Sequence, residues 1–293
     1  MNQAIQKTEA LRLLILGGGN MAQAILAGLK RSGLATDIRL VEPVEALHAA
    51  LRQACGLAEN SLFTNLPAVF EQTPLHQFDW LVLAVKPQQA QEALRPVLTQ
   101  TQLPSSQIDS ASMPALLSIA AGLSISSLQA WSRLSATVRC MPNTPAMVGQ
   151  GITGLYAPID LEASHRQQSD ELMRGLGPTV WLTNEDEINT VTAISGSGPA
   201  YVFYFVECFV KAAQETGLPA ETAQQLAWQT VKGAVALLDA SAASGESAES
   251  LRAKVTSKGG TTAAAMERLD AAGLQQILAT AIAAAQTRAR ELS

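Results

Sequence analysis

The period of the apolar positions changes part-way along the chain. Leu11–Leu16 is a near-continuous apolar run that stops at glycines, the pattern of a strand buried on both faces. Apolar residues then recur at Met21, Ile25 and Leu29, one face of a helix over Asn20–Arg31, with Gly33 where a C-cap belongs. Ile38–Val41 predicts a second strand ended by Glu42-Pro43, and Glu45–Ala54 a helix. Three further strands are predicted at Trp80–Val85, stopped by Lys86-Pro87, at Leu116–Ala120, ended by Ala121-Gly122, and at Thr137–Cys140, ended by Met141-Pro142. Ile152–Tyr156 and Thr179–Leu182 are candidates for edge strands. Strands spaced by helices predict an α/β domain with a Rossmann-type, doubly wound sheet over residues 1–183.

After about Asn184 the strand pattern ends. Ile188–Ile194, Pro199–Thr216, Ala220–Ala240, Thr262–Ala271 and Leu274–Leu292 all carry helical periodicity, punctuated by Gly217-Leu218-Pro219 and Ser241–Ser247. Residues 184–293 therefore form an all-helical second domain, and 293 residues suit two domains better than one. The stretch Tyr201–Val210 is apolar nearly all round, which predicts burial on every side. A domain of about 110 residues gives limited room for that. A second subunit covering part of the helix is expected, the alternative being the central helix of a monomeric bundle.

Composition narrows the function classes. The chain is 47% hydrophobic and 15% charged, too apolar for disorder. A net charge of −5 with no basic run argues against nucleic acid as a partner. Tyr201–Val210 contains Glu207 and is too short to span a bilayer, and polar Met1–Glu9 predicts no signal peptide. Cys55, Cys140 and Cys208 are odd in number and widely spaced, which suits a reducing cytoplasm and no disulfide framework. His48, His76 and His165 are isolated, so no metal site and three surface positions are expected.

The candidate chemistry lies in two glycine turns. Gly17-Gly18-Gly19-Asn20-Met21-Ala22 has the form G-x-G-x-x-A between a strand and a helix, the context in which a dinucleotide pyrophosphate meets a helix N-terminus. Glu42, at the end of the next strand, can accept both adenosine-ribose hydroxyls and would repel a 2′-phosphate. No arginine directly follows it, so the local chemistry leans to NADH or to dual use; the alternative is a solvated strand-end acid. Ala84-Val85-Lys86-Pro87 closes a strand at the edge where cofactors lie, although such a Lys-Pro is often only a turn. Ala121-Gly122 leaves room for a flat ring. Asn143 sits between prolines, its amide aimed at a nicotinamide carboxamide or simply part of a stiff turn. Ser195-Gly196-Ser197-Gly198-Pro199 reads best as a helix start, with serine at the N-cap and proline at N1. The second turn, Val255-Thr256-Ser257-Lys258-Gly259-Gly260-Thr261-Thr262, again leads into a helix and offers a second anion seat.

Together these motifs resemble pyrroline-5-carboxylate reductase, the last enzyme of proline biosynthesis, over nearly the whole chain. They stand in family order: GGGNMAQAI, AVKPQ, SIAAG, RCMPNTPA, SGSGPAYVF and VTSKGGTT. The resemblance implies that Gly17–Ala22, Asn65, Ala84–Pro87 and Ala121–Gly122 bind NADP (NADPH) or NAD (NADH). It implies that the C-terminal helices form an intertwined homodimer, able to assemble further into rings. It implies that 1-pyrroline-5-carboxylate sits on Ser257, Gly259, Gly260, Thr261 and Thr262. Lys258 departs from the proline common in the family. Glu42 departs from the serine, threonine or arginine of many NADPH users.

The motif regions hold no histidine, paired carboxylate or tyrosine–lysine couple. A carbonyl reductase needs a proton donor for its alkoxide; a protonated cyclic imine takes hydride and leaves a neutral amine. The missing acid fits an imine. Backbone N–H groups of Gly260 and Thr261 with the Ser257 hydroxyl would hold the carboxylate. The position of Thr262 in the family pattern makes its hydroxyl the contact to the ring nitrogen, though an N-cap role is also open. Two rivals remain. A 3-hydroxyacid dehydrogenase would carry a lysine on the first long helix of the second domain, yet Ile188–Val210 has none. A non-catalytic NADPH-sensing dimer would need only the first turn.

Overall fold

The computed structural model describes residues 10–34, 36–102 and 113–292; the expectation for Met1–Glu9 lies outside them. The strands are β1 Leu11–Leu16, β2 Thr36–Val41, β3 Leu62–Phe63, β4 Trp80–Leu83, β5 Ala115–Ser118, β6 Thr137–Met141, β7 Thr153–Tyr156 and β8 Thr179–Trp181. They form one sheet in the order β3-β2-β1-β4-β5-β6-β7-β8. Neighbours from β3 to β6 pair in parallel, and β7 runs antiparallel to β6. The order reverses between β1 and β4, which creates a crevice at the carboxyl ends of those strands.

Alternation along the strands feeds two cores. Leu13 and Ile15 join Ile25, Leu29, Trp80, Val82, Leu117 and Val138 on one face. Leu14 and Leu16 join Leu81, Leu83, Leu94, Val97 and Leu116 on the other. Both faces are covered because helices lie on both: α1 Asn20–Ser32, α2 His48–Cys55, α3 Leu66–Phe70, α4 Ala90–Thr101, α5 Ile125–Ser132 and α6 Ala163–Arg174. Helix α1 is amphipathic with Ala22, Ile25, Leu26 and Leu29 buried, carries Lys30 and Arg31 in its last turn, and ends on Gly33 at φ 70°.

The remaining helices are α7 Glu187–Val191, α8 Gly198–Glu215, α9 Ala220–Ala242, α10 Ala248–Lys254, α11 Thr261–Ala271 and α12 Leu274–Glu291. The chain forms two compact units: Met1–Gly196 with Gln286–Ser293, and Ser197–Ala285. Within the first unit the returning segment is held by Gln286 to Thr190 (2.5 Å) and by the Arg290–Asp186 ion pair (2.7 Å).

Several expectations are corrected. A π-helical turn, Thr192–Gly196, follows α7 where a single helix was expected. Ser197 is the N-cap of α8 by position but makes no side-chain cap bond, and the Ser195 hydroxyl donates back to the Val191 carbonyl (3.0 Å). The apolar helix is exposed in the single chain, which departs from the monomeric-bundle alternative and agrees with cover from a second subunit. Phe203 is 68% exposed, Tyr204 66% and Phe205 55%. His165 is not a simple surface residue; its ring meets Trp80 edge-on at 5.7 Å.

Candidate functional site

The first turn is shaped by close backbone approach. Gly17 has φ +97°, and its N–H donates to the Val41 carbonyl (2.8 Å). A Cβ at Gly17 would stand 2.7 Å from the Ala84 carbonyl oxygen, so only glycine lets β1 turn beside the end of β4. Gly19 is the N-cap of α1, extended at φ −67° and ψ 178°, with no side chain capping the helix. Nothing lies within 4 Å of where its Cβ would be. The first intrahelical bond runs from Gln23 N–H to the Gly19 carbonyl, which leaves the N–H groups of Asn20, Met21 and Ala22 without a backbone acceptor. A bare helix N-terminus beneath open space, on a turn that a side chain would fill, fits a dinucleotide pyrophosphate.

The sheet brings the other sequence-predicted cofactor residues to the same edge. Ala84, Val85, Lys86 and Pro87 follow β4; Ala121 and Gly122 follow β5, with Gly122 at φ +75°. The Lys86 side chain is exposed. Asn65 follows β3 and caps α3, accepting the Ala68 N–H at 3.0 Å and donating to the Thr64 hydroxyl at 3.2 Å. Asn143 follows β6, but its side-chain oxygen already accepts the Ile152 N–H (2.9 Å). That bond stiffens the turn and uses one acceptor position of the oxygen, and the amide NH₂ remains a donor. In β6, burial pushes the Cys140 thiol well up, so it stays protonated and offers no nucleophile.

Glu42 is tied in more tightly than the sequence suggests. One carboxylate oxygen accepts the Gly18 N–H (3.0 Å) and the other the Val44 N–H (3.0 Å). Its backbone N–H donates to the Phe63 carbonyl (2.9 Å), and its own carbonyl lies 2.7 Å from His48 Nε2.

The second turn is a separate construction within the helical unit. Gly259 has φ +74°, a conformation that favours glycine. Gly260 caps α11 with no side-chain bond, and a Cβ there would sit 2.5 Å from the Ser257 hydroxyl. The expectation that Gly260 N–H faces the ligand is corrected: it donates to the Ser257 carbonyl (3.0 Å) and closes the turn. The first intrahelical bond runs from Ala264 N–H to the Gly260 carbonyl. The free donors are thus Thr261, Thr262 and Ala263, one residue further on. Thr262 is half-buried, Thr261 and Ser257 are exposed. Helix α10, missed in the sequence reading, leads into this turn; the Ser247 hydroxyl caps it at Ser250 N–H (3.1 Å). Among the described residues no three His, Cys, Asp or Glu side chains converge as a metal site would require, and no helix is long and apolar enough to cross a membrane.

A pyrroline-5-carboxylate reductase of Pseudomonas aeruginosa is 38% identical over 287 residues, 96% of this chain and 97% of that protein. The chain belongs to the pyrroline-5-carboxylate reductase family. The family model described as pyrroline-5-carboxylate reductase dimerisation matches residues 185–292. A second, described as NADP oxidoreductase coenzyme F420-dependent, matches residues 12–111. The solved pyrroline-5-carboxylate reductase of Coxiella burnetii is 31% identical with a TM-score of 0.81, covering 96% of this chain and 98% of that one. The Plasmodium falciparum pyrroline carboxylate reductase, solved with NADP bound, is 24% identical with a TM-score of 0.74, covering 97% and 99%, and speaks to the fold.

Proposed function

We propose that this chain reduces 1-pyrroline-5-carboxylate to L-proline with NAD(P)H, the last step of proline biosynthesis. Membership of the family carries the reaction, an oxidoreduction at a C–N bond. The single observation that carries the substrate reading is the second bare helix N-terminus. Thr261, Thr262 and Ala263 present unpaired N–H groups at the end of the turn that carries Ser257, which suits a carboxylate.

The proposed division of labour is dinucleotide binding over 1–183 and substrate binding with dimerisation over 184–293. Gly17, Gly18, Gly19, Asn20, Met21 and Ala22 would hold the pyrophosphate. Glu42 and Asn65 would border the adenosine half, with Ala84–Pro87, Ala121, Gly122 and Asn143 along the rest. The dihydronicotinamide, when bound, supplies a hydride. Ser257 and the α11 N-terminus would fix the substrate carboxylate, and Gly259 and Gly260 set the turn that presents them. The Thr262 hydroxyl would orient the ring nitrogen as catalytic residue. Substrate enters as the iminium: hydride forms the new C–H bond, the C=N π pair moves to nitrogen, and a neutral amine results. No strong acid is then needed at nitrogen.

The exposed apolar face of α8 and α9 supports a homodimer, since Phe203, Tyr204, Phe205 and Trp228 stand more than half exposed in one chain. Rings of such dimers are the finer part of this reading. A reducing cytoplasm suits the unpaired cysteines.

The test is NADH and NADPH oxidation with 1-pyrroline-5-carboxylate, beside a 3-oxoacid control. Turnover with the imine alone is expected. Turnover with the oxoacid alone would favour the hydroxyacid dehydrogenase reading, and none with either would favour a sensor.

A further inference from the structure

The Glu42 carboxylate is a tethered group. It bridges the phosphate-binding turn, through Gly18 N–H, and the loop after β2, through Val44 N–H, both at 3.0 Å. Each oxygen has spent one acceptor position on a backbone N–H and keeps another. One acceptor position on each oxygen therefore remains at the end of β2, where the adenosine ribose of a dinucleotide lies in this topology. A carboxylate free to rotate could swing away from a 2′-phosphate. This one cannot do so without giving up its bonds to the N–H groups of Gly18 and Val44. A Cβ at position 18 would stand 3.1 Å from Glu42 Oε2 and 2.7 Å from Leu51 Cδ1, so glycine is what lets the carboxylate close onto this turn.

The segment between Arg39 and Arg52 carries no lysine or arginine to offset the charge. Residues 42–47 read Glu-Pro-Val-Glu-Ala-Leu, with a second acid and no lysine or arginine. The nearest arginines in sequence are engaged: Arg39 with Asp37 (2.6 Å), Arg52 with Glu59 (3.4 Å). His48 is spent on the Glu42 carbonyl. A 2′-phosphate would bring about −1.5 to −2 of charge against this carboxylate.

We infer that Glu42 selects NADH over NADPH in this chain, against the NADP in the description of the family model that matches residues 12–111. The inference rests on the dinucleotide reading of this sheet edge. Glu42 thereby has two roles, binding the ribose and holding the glycine turn in shape, so that loss of its charge relaxes discrimination while loss of its length also loosens the turn.

The direct experiment titrates the free protein with ADP-ribose and with 2′-phospho-ADP-ribose by calorimetry, then compares kcat/KM for NADH and NADPH with 1-pyrroline-5-carboxylate. Wild type should prefer ADP-ribose and NADH at least about tenfold. Glu42→Gln, which keeps the shape and removes the charge, should bring the two ligands within about threefold of each other. Glu42→Ser is the second variant and should do the same with weaker binding of both. Equal or tighter binding of 2′-phospho-ADP-ribose by wild type, binding of neither probe, or a ratio unchanged in both variants would overturn the inference. Preference for ADP-ribose without any imine turnover would leave it standing and sink the proposed reaction instead.

Discussion

Gly17 and Gly19 occupy the same turn and should fail in opposite ways. At Gly17, alanine meets two costs. The φ of +97° lies in the region that an L side chain resists, worth about 1–2 kcal/mol. The new methyl would also stand 2.7 Å from the Ala84 oxygen and 3.0 Å from its carbon. That backbone cannot retreat freely, because Ala84 N–H is bonded to the Leu16 carbonyl at 2.8 Å. Relieving such overpacking costs about 1–3 kcal/mol. Gly17→Ala should therefore lose about 2–5 kcal/mol, a large part of a typical domain's stability. At Gly19 the backbone is ordinary extended and the space above is empty within 4 Å, so Gly19→Ala should cost only the poorer N-cap, about 1 kcal/mol or less. Its methyl, however, stands where a pyrophosphate must approach. Urea unfolding followed by circular dichroism, with titration of ADP-ribose, separates the two. The expected result is a much lower midpoint for Gly17→Ala, and a slightly lower midpoint with at least tenfold weaker binding (about 1.4 kcal/mol) for Gly19→Ala. Equal stability of both variants, or undiminished binding by Gly19→Ala, would refute the reasoning.

Thr262→Ala should lower kcat/KM for the imine about ten- to a hundredfold while the affinity for ADP-ribose stays put; unaltered turnover removes Thr262 from the site. Phe203→Asp puts a charge on a side chain that is 68% exposed in the single chain. If that face is covered by a second copy, association should weaken at least about a hundredfold, visible by sedimentation, because each interface loses the change twice; an unchanged dimer would place the interface elsewhere. The hydrogen bond from Arg290 holds the Asp186 carboxyl below its usual range. Its contribution is present above the ordinary carboxylate value of about 3.9 and is lost as pH falls through the lowered one. Melting temperature should drop with acid more steeply in wild type than in Asp186→Asn, and parallel curves would dismiss the pair.

The path from β1 through the turn to α1 was legible because a near-continuous apolar run gives way at the glycines to apolar residues about four apart. So were the strands Trp80–Leu83 and Thr137–Met141, whose residues are buried on both faces. Strand β3 was missed because Leu62-Phe63 is too short to carry a period. Helix α10 was missed because Ser-Gly-Glu-Ser reads as a loop; Ser247 followed by an acid at Glu249 was the available signal. The antiparallel turn of β7 has no local signature. In the site, both glycine turns could be read from residue types, since φ above zero and close backbone approach leave glycine as the natural choice. The tether from Glu42 to Gly18 could not, because it joins residues brought together only by the β1–β2 pairing. The same limit explains the one-residue shift of free N–H groups at α11. Which donor is spent on closing a turn depends on its geometry, as Gly260 N–H to the Ser257 carbonyl demonstrates.

Isotope placement follows the hydride to the cyclic imine itself. The enzyme is given 1-pyrroline-5-carboxylate and NADH dideuterated at nicotinamide C4, and the product is analysed by mass spectrometry and NMR. The expected product is L-proline carrying one deuterium, at C5. Proline without deuterium, deuterium at another carbon, or no proline at all would contradict it.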